Sequence, residues 1–114
     1  GANHKVAGRV GDAPIVGSGC YATNTSGAAA TGDGDVMMRF LPALRATLLM
    51  DAGVAPSTAC AAAMAPIASA FPTFSGALVC LNERGDHAGV EHNMGFSYTL
   101  ATSPKVEVIA GTPV

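Results

Sequence analysis

The stretch SGALVCLNERGDHAGVEH, Ser75 to His92, decides what kind of fold this chain can adopt. Apolar residues fill its first half, Arg84-Gly85-Asp86 interrupts it, and Ala88, Gly89 and Val90 resume beyond. It therefore reads as a β-hairpin whose tip is Arg84-Gly85-Asp86, a turn before it is an adhesion motif. Strands joined by so short a turn run antiparallel. Helical patterns precede it, so strands follow helices instead of alternating with them, the order of an α+β layer.

Outward from the hairpin, Ser57 offers an N-cap for a helix over the alanine-rich run to about Ala70, with Pro66 inside it. An earlier helix is expected from Asp33–Asp35 to Asp51. Its apolar residues Val36, Met37, Phe40, Leu41, Leu44, Leu48 and Leu49 recur at steps of three and four. Pro42 should bend or break it, and Asp51-Ala52-Gly53 stops it. Ahead of the helices, Ile15 to Asp35 is rich in Gly, Ala and Ser and reads as short strands in close contact. Beyond the hairpin, FSYTLAT (Phe96 to Thr102) reads as a last strand, and the tail from Ser103 as irregular. No repeat or linker divides the 114 residues, which fit one domain or part of one. With 4 Phe, 2 Tyr and no Trp, the Gly- and Ala-rich sheet needs another layer or chain to bury it.

Lys and Arg number 6 against 8 Asp and Glu, a net charge of −2, which favours neither nucleic acid nor an anionic membrane as partner. No apolar run reaches the roughly 20 residues that span a bilayer. Gly1-Ala2-Asn3-His4 lacks the basic head and apolar body of a signal peptide. Cys20, Cys60 and Cys80 have no zinc-type spacing, which leaves one pair plus one thiol as the plain reading. GSGCYA (Gly17 to Ala22) matches a dinucleotide fingerprint, but Thr23 to Gly27 stop the helix it must open. Asp33-Gly34-Asp35 lacks the further acids of a calcium loop and suits a helix N-terminus. His4, His87 and His92 stand at no ligand spacing and read as surface residues.

GRVGD (Gly8 to Asp12) sets a cation three residues before an anion on a glycine-flanked turn. Arg9 and Asp12 could bridge each other, at a gain of roughly 0–1 kcal/mol. Equally, they could point into a shared cleft and bind an amino acid. A guanidinium grips an α-carboxylate through two parallel hydrogen bonds, and a carboxylate accepts from the α-ammonium.

GRVGDAPIVGSGCYATN (Gly8 to Asn24), GAAATGDGD (Gly27 to Asp35), the helix VMMRFLPAL (Val36 to Leu44) and FPTFSGALVC (Phe71 to Cys80) resemble the β subunit of the glycosylasparaginases. These are N-terminal nucleophile hydrolases of the threonine-type asparaginase family. RFLP after TGDGD and the Cys60/Cys80 pair are more similar to that branch than to the isoaspartyl peptidases, which usually carry TGHGE there. The resemblance implies one domain over residues 1–114, the C-terminal part of a β subunit. It would be part of a four-layer αββα sandwich, completed by upstream strands and an α subunit. It also implies hydrolysis of the amide between N-acetylglucosamine and asparagine, with asparagine or isoaspartyl peptides as the neighbouring substrates, and neither cofactor nor metal.

Carried over, Arg9 holds the substrate α-carboxylate and Asp12 its α-ammonium. Thr31, through its hydroxyl, and Gly32, through its backbone N–H, form the oxyanion hole. The family's nucleophile is a β-subunit N-terminal threonine, freed by self-cleavage, whose own amine serves as base. It is expected two short strands upstream of Gly1. Thr23, Thr25 and Thr31 cannot replace it, because each has a blocked amine. The reading taken is a longer β subunit, paired with the α subunit of the same precursor in an (αβ)2 assembly. The other readings are an inactive relative that binds amino acids and a structural partner of a separate active chain.

The resemblance supports a Cys60–Cys80 disulfide, and a helix packed on the strand after it can bring two such Cα atoms close enough. Cys20 is then a buried free thiol in a small-residue strand. Asn24-Thr25-Ser26 is a glycosylation sequon on a turn. With a disulfide it implies a secretory route and, in a eukaryote, the lysosome; bacterial relatives are periplasmic or cytoplasmic.

Overall fold

The computed structural model describes residues 2–114. In chain order its elements are β1 (Cys20–Ala22), β2 (Ser26–Gly32), α1 (Gly34–Met37), α2 (Pro42–Asp51), α3 (Pro56–Ala70), β3 (Gly76–Asn82), β4 (His87–His92), β5 (Ser97–Thr102), β6 (Lys105–Ala110) and β7 (Thr112–Pro113). The chain is α+β. One five-stranded sheet has the order β1-β2-β3-β4-β7, antiparallel except for the β4–β7 pair, and β5 and β6 form a separate two-stranded ribbon. The expected hairpin is β3–β4, turning through Arg84-Gly85-Asp86, where Gly85 has φ +83° and Arg84 pairs with Asp86. GSGCYA leads into strand β1 and opens no helix.

The alternation of side chains divides the sheet. Ser26, Ala28, Leu78, Cys80 and Val90 are buried and meet α2 and α3, which lie on this face. Met37, Met64, Ile67 and Phe74 complete the core. On the opposite face Ala29, Leu81 and Cys20 are exposed. Cys20 is thus not the buried thiol expected of it. In β1 its neighbour Tyr21 takes the helix side, and a period of two sends Cys20 to the other. The ribbon covers only the β4 end of this second face. Tyr98 and Phe96 lie over Gly89, where a Cβ would come within 2.6 Å of the Tyr98 ring.

One local expectation holds and three change. The first helical region breaks at Pro42 into α1 and α2, as expected, with Leu41 at φ 50° in the left-handed region just before the proline. The break also rotates the buried face. Ala43, Ala46, Thr47 and Met50 turn inward while Leu48 is 56% exposed. Small residues let α2 lie close to the sheet and to α3. Helix α3 begins at Pro56, one residue before Ser57, with Ala55 as N-cap and no side-chain cap; proline at the first position needs none for its missing N–H. The tail from Ser103 is not irregular: Lys105–Ala110 pairs with β5 from Thr102↔Lys105 to Ser97↔Ala110.

Two histidines are structural and half-buried, not plain surface residues. His87 Nδ1 hydrogen-bonds the Tyr98 hydroxyl at 2.8 Å. Both ring nitrogens of His92 face carbonyls, those of Val114 and Pro72, so the doubly protonated ring is favoured and its pKa is raised, chiefly by the Val114 contact. Its ring also stacks on Phe74 with centroids 4.9 Å apart. Cys60 on α3 and Cys80 on β3 form a disulfide, with Cα atoms 6.3 Å apart.

Candidate active site

A cleft of about 650 Å³ lies where β2 ends, and the segment before β1 closes it. Arg9, Asp12, Thr31 and Gly32, the four residues singled out in the sequence, all line it, together with Lys5, Asp33, Gly34 and Asp35. The fold thus joins two segments some twenty residues apart in sequence. The first is held by turns: Arg9 N–H donates to Val6 O at 3.1 Å, and Ile15 N–H to Asp12 O at 3.0 Å.

Arg9 and Asp12 do not bridge each other. Arg9 Nη2 contacts Asp35 Oδ1 at 3.3 Å, a partner 26 residues away that the spacing in GRVGD could not indicate. Asp12 Oδ2 is buried and has no hydrogen-bond partner among the described residues. An unpaired buried carboxylate oxygen costs free energy, and a cationic donor would relieve it. Its position depends on a glycine: a Cβ at Gly34 would lie 2.6 Å from Asp12 Oδ1 and 3.0 Å from Asp12 N.

The sheet register orients the Gly32 N–H. In β2 the pairs Ala30 N–H to Gly19 O and Thr23 N–H to Ser26 O show that even-numbered residues bond toward β1. Asp33 N–H donates to Ser75 O at 2.7 Å, so odd-numbered residues bond toward β3. By the alternation of an antiparallel ladder, the Gly32 N–H points away from β3, past the end of β1. It is a backbone donor at the cleft, and among the described residues no strand stands opposite it. Gly32 has φ +125°, and a Cβ there would lie 2.4 Å from Ser75 O, so only glycine fits. Thr31, on the same sheet face as Ala29, is exposed.

Asp33 and Asp35 have separate tasks. Asp33 Oδ2 accepts from Ser75 N–H at 2.9 Å, and Asp35 meets Arg9. Sequence reasoning assigned both only to a helix start, and missed these roles because both partners are remote in sequence.

Asn24 lies apart from the cleft, exposed on the β1–β2 turn. That turn is tied to the end of α2. Asp51 Oδ1 accepts from Ser26 Oγ at 2.6 Å, Thr25 Oγ1 at 2.8 Å and Thr23 Oγ1 at 2.9 Å. These bonds hold the Asp51 carboxyl below its ordinary value, Ser26 contributing most.

The chain matches the asparaginase family over residues 1–110. It is 46% identical over 101 residues to the Probable isoaspartyl peptidase/L-asparaginase 3 of Arabidopsis thaliana, covering 88% of this chain and 28% of that protein. It is also 46% identical over 108 residues to the N(4)-(beta-N-acetylglucosaminyl)-L-asparaginase of Mus musculus, covering 90% of this chain and 31% of the relative. It thus spans about a third or less of the length of these relatives. A match over nearly the whole chain places this protein in the asparaginase family of N-terminal nucleophile hydrolases, the one that contains the glycosylasparaginases.

Proposed function

We propose that the full-length protein is an amidohydrolase that cleaves the amide between N-acetylglucosamine and asparagine. In this reading the chain supplies the substrate clamp and the oxyanion hole of a β subunit. The observation that carries it is the buried Asp12 Oδ2, unpartnered among the described residues, in the same cleft as Arg9, Thr31 and Gly32. A zwitterionic amino acid needs both charges: its ammonium completes Asp12, and its carboxylate takes the guanidinium of Arg9. The amide oxygen of its side chain then falls to Gly32 N–H and the Thr31 hydroxyl. These donors stabilise the charge that develops on that oxygen as the nucleophile adds. The attacking group is an N-terminal threonine upstream of Gly1, its amine taking the hydroxyl proton.

The sheet face that bears Ala29, Val79, Leu81 and Cys20 is then covered by a second sheet, giving the four-layer αββα sandwich. The α subunit of the same precursor brings that sheet, in an (αβ)2 assembly. The Cys60–Cys80 disulfide and the exposed sequon at Asn24 support a secretory or lysosomal home. An Asn24 without glycan in protein from its native source would remove half of that argument.

Turnover of glycosylasparagine, asparagine and a β-aspartyl dipeptide by the full-length protein tests the function. Glycosylasparagine should be the fastest. The Arabidopsis relative favours a second reading, in which asparagine or the dipeptide is faster. Binding of aspartate with no turnover of any of the three would leave an amino-acid-binding protein and overturn both enzyme readings.

A further inference from the structure

The oxyanion donor proposed above is a backbone group, and its direction depends on whatever fixes residue 32. Gly32 is the last residue of β2, with φ +125°, and the chain beyond it turns at once into α1. Strand ends fray unless tied. Here the tie is reciprocal: Asp33 N–H donates to Ser75 O at 2.7 Å, and Ser75 N–H donates to Asp33 Oδ2 at 2.9 Å. The backbone half of the pair is available to any residue. The side-chain half needs a short acceptor at position 33.

Ser75 is itself immobilised. Its Oγ donates to Asn93 O at 3.0 Å. The Asn93 amide donates to Pro72 O at 2.8 Å and to Phe74 O at 3.1 Å, and Phe74 is buried against His92. Asp33 therefore fastens the end of β2 to a loop that the core holds still. Its Oδ2 is bonded to that loop, so its route to the reaction runs through Gly32, the residue before it.

We propose that Asp33 is a positioning residue for the oxyanion hole, its carboxylate fixing the direction of the Gly32 N–H through Ser75. The inference rests on the amidohydrolase reading and deepens it. A donor aimed at where charge develops acts on the transition state more than on the bound ground state. Loosening Gly32 should therefore lower kcat and leave the amino-acid clamp of Arg9 and Asp12 intact.

The test compares Asp33→Ala, Asp33→Glu and Asp33→Asn in the full-length protein, with kcat on the preferred amide and Ki for L-aspartate as readouts. Asp33→Ala should lower kcat by about tenfold or more, with the aspartate Ki within about twofold, since removing one oxyanion donor costs about 10²–10³. Asp33→Asn keeps an Oδ acceptor and should recover most of the loss. If Asp33→Ala fails to fold, Asp33→Glu, whose carboxylate is displaced by one methylene, should show the same split in weaker form. A kcat within twofold of the parent in Asp33→Ala and Asp33→Glu overturns the inference. So does an aspartate Ki that rises in step with the fall in kcat, which is what general loosening of the cleft would give. An unsubstituted protein with no amidase activity overturns the parent reading, and the inference falls with it.

Discussion

Arg9 is half-buried and, among the described residues, its guanidinium hydrogen-bonds only Asp35 Oδ1, at 3.3 Å, so it keeps donors for a ligand. A carboxylate needs that planar fork, and a lysine offers only a point charge. Arg9→Lys in the full-length protein should raise KM and lower kcat/KM, by an amount equivalent to about 2–5 kcal/mol if the site is desolvated. Steady-state kinetics check it, and unchanged constants would return GRVGD to a structural turn. Asp51 acts at the same scale but away from the cleft. Three hydroxyls bond its ionised form and lower its pKa from 3.8, so the stability it contributes is fully present above that value. It is lost as pH falls through the lowered folded value. Asp51→Asn should therefore melt lower than the parent at neutral pH, with the gap closing at pH values below 3.8. Melting curves against pH check this, and a gap that stays constant into acid would separate the hydroxyl cluster from the charge.

At the scale of elements, the disulfide joins α3 to β3 across 20 residues of sequence. Helices α2 and α3 lie on one side of the sheet, so the bridge fastens this helical layer to β3, the strand that follows Ser75. Closing a loop of this length should stabilise by about 3 kcal/mol through the unfolded chain. Peptide mapping of the non-reduced protein should find Cys60 and Cys80 linked and Cys20 apart, and reduction should lower the melting temperature. The helices also show which local signals carry weight. The stop at Asp51-Ala52-Gly53 and the break at Pro42 were legible, because proline and glycine act on the backbone wherever they stand. The buried face of α2 was not, since Leu44 and Leu48 advertise hydrophobicity while Ala43 and Ala46 win the core by size.

For the whole molecule, the question is what covers the second face of the sheet. Leu81 is 49% exposed there, and a cleft lined by Cys20, Ala29, Val79 and Leu81 opens beside it. A packed second sheet should shield Cys20. In native full-length protein, alkylation at Cys20, read by peptide mapping, should be slow and should become fast in denaturant. Fast labelling of the native protein would argue against the sandwich. The amino-acid sequence alone determined the hairpin at Arg84-Gly85-Asp86, the order of strands and helices and the helix stops. Those signals have periods of two to four residues or sit on single turn-forming residues, so a short window contains them. Tertiary structure decided that Arg9 meets Asp35 across 26 residues and that Asp33 meets Ser75 across 42. It also decided that Cys20 faces outward and that Lys105–Ala110 pairs with β5. Each of these depends on register between strands or on packing between distant segments, where one residue of shift reverses every side chain and every N–H.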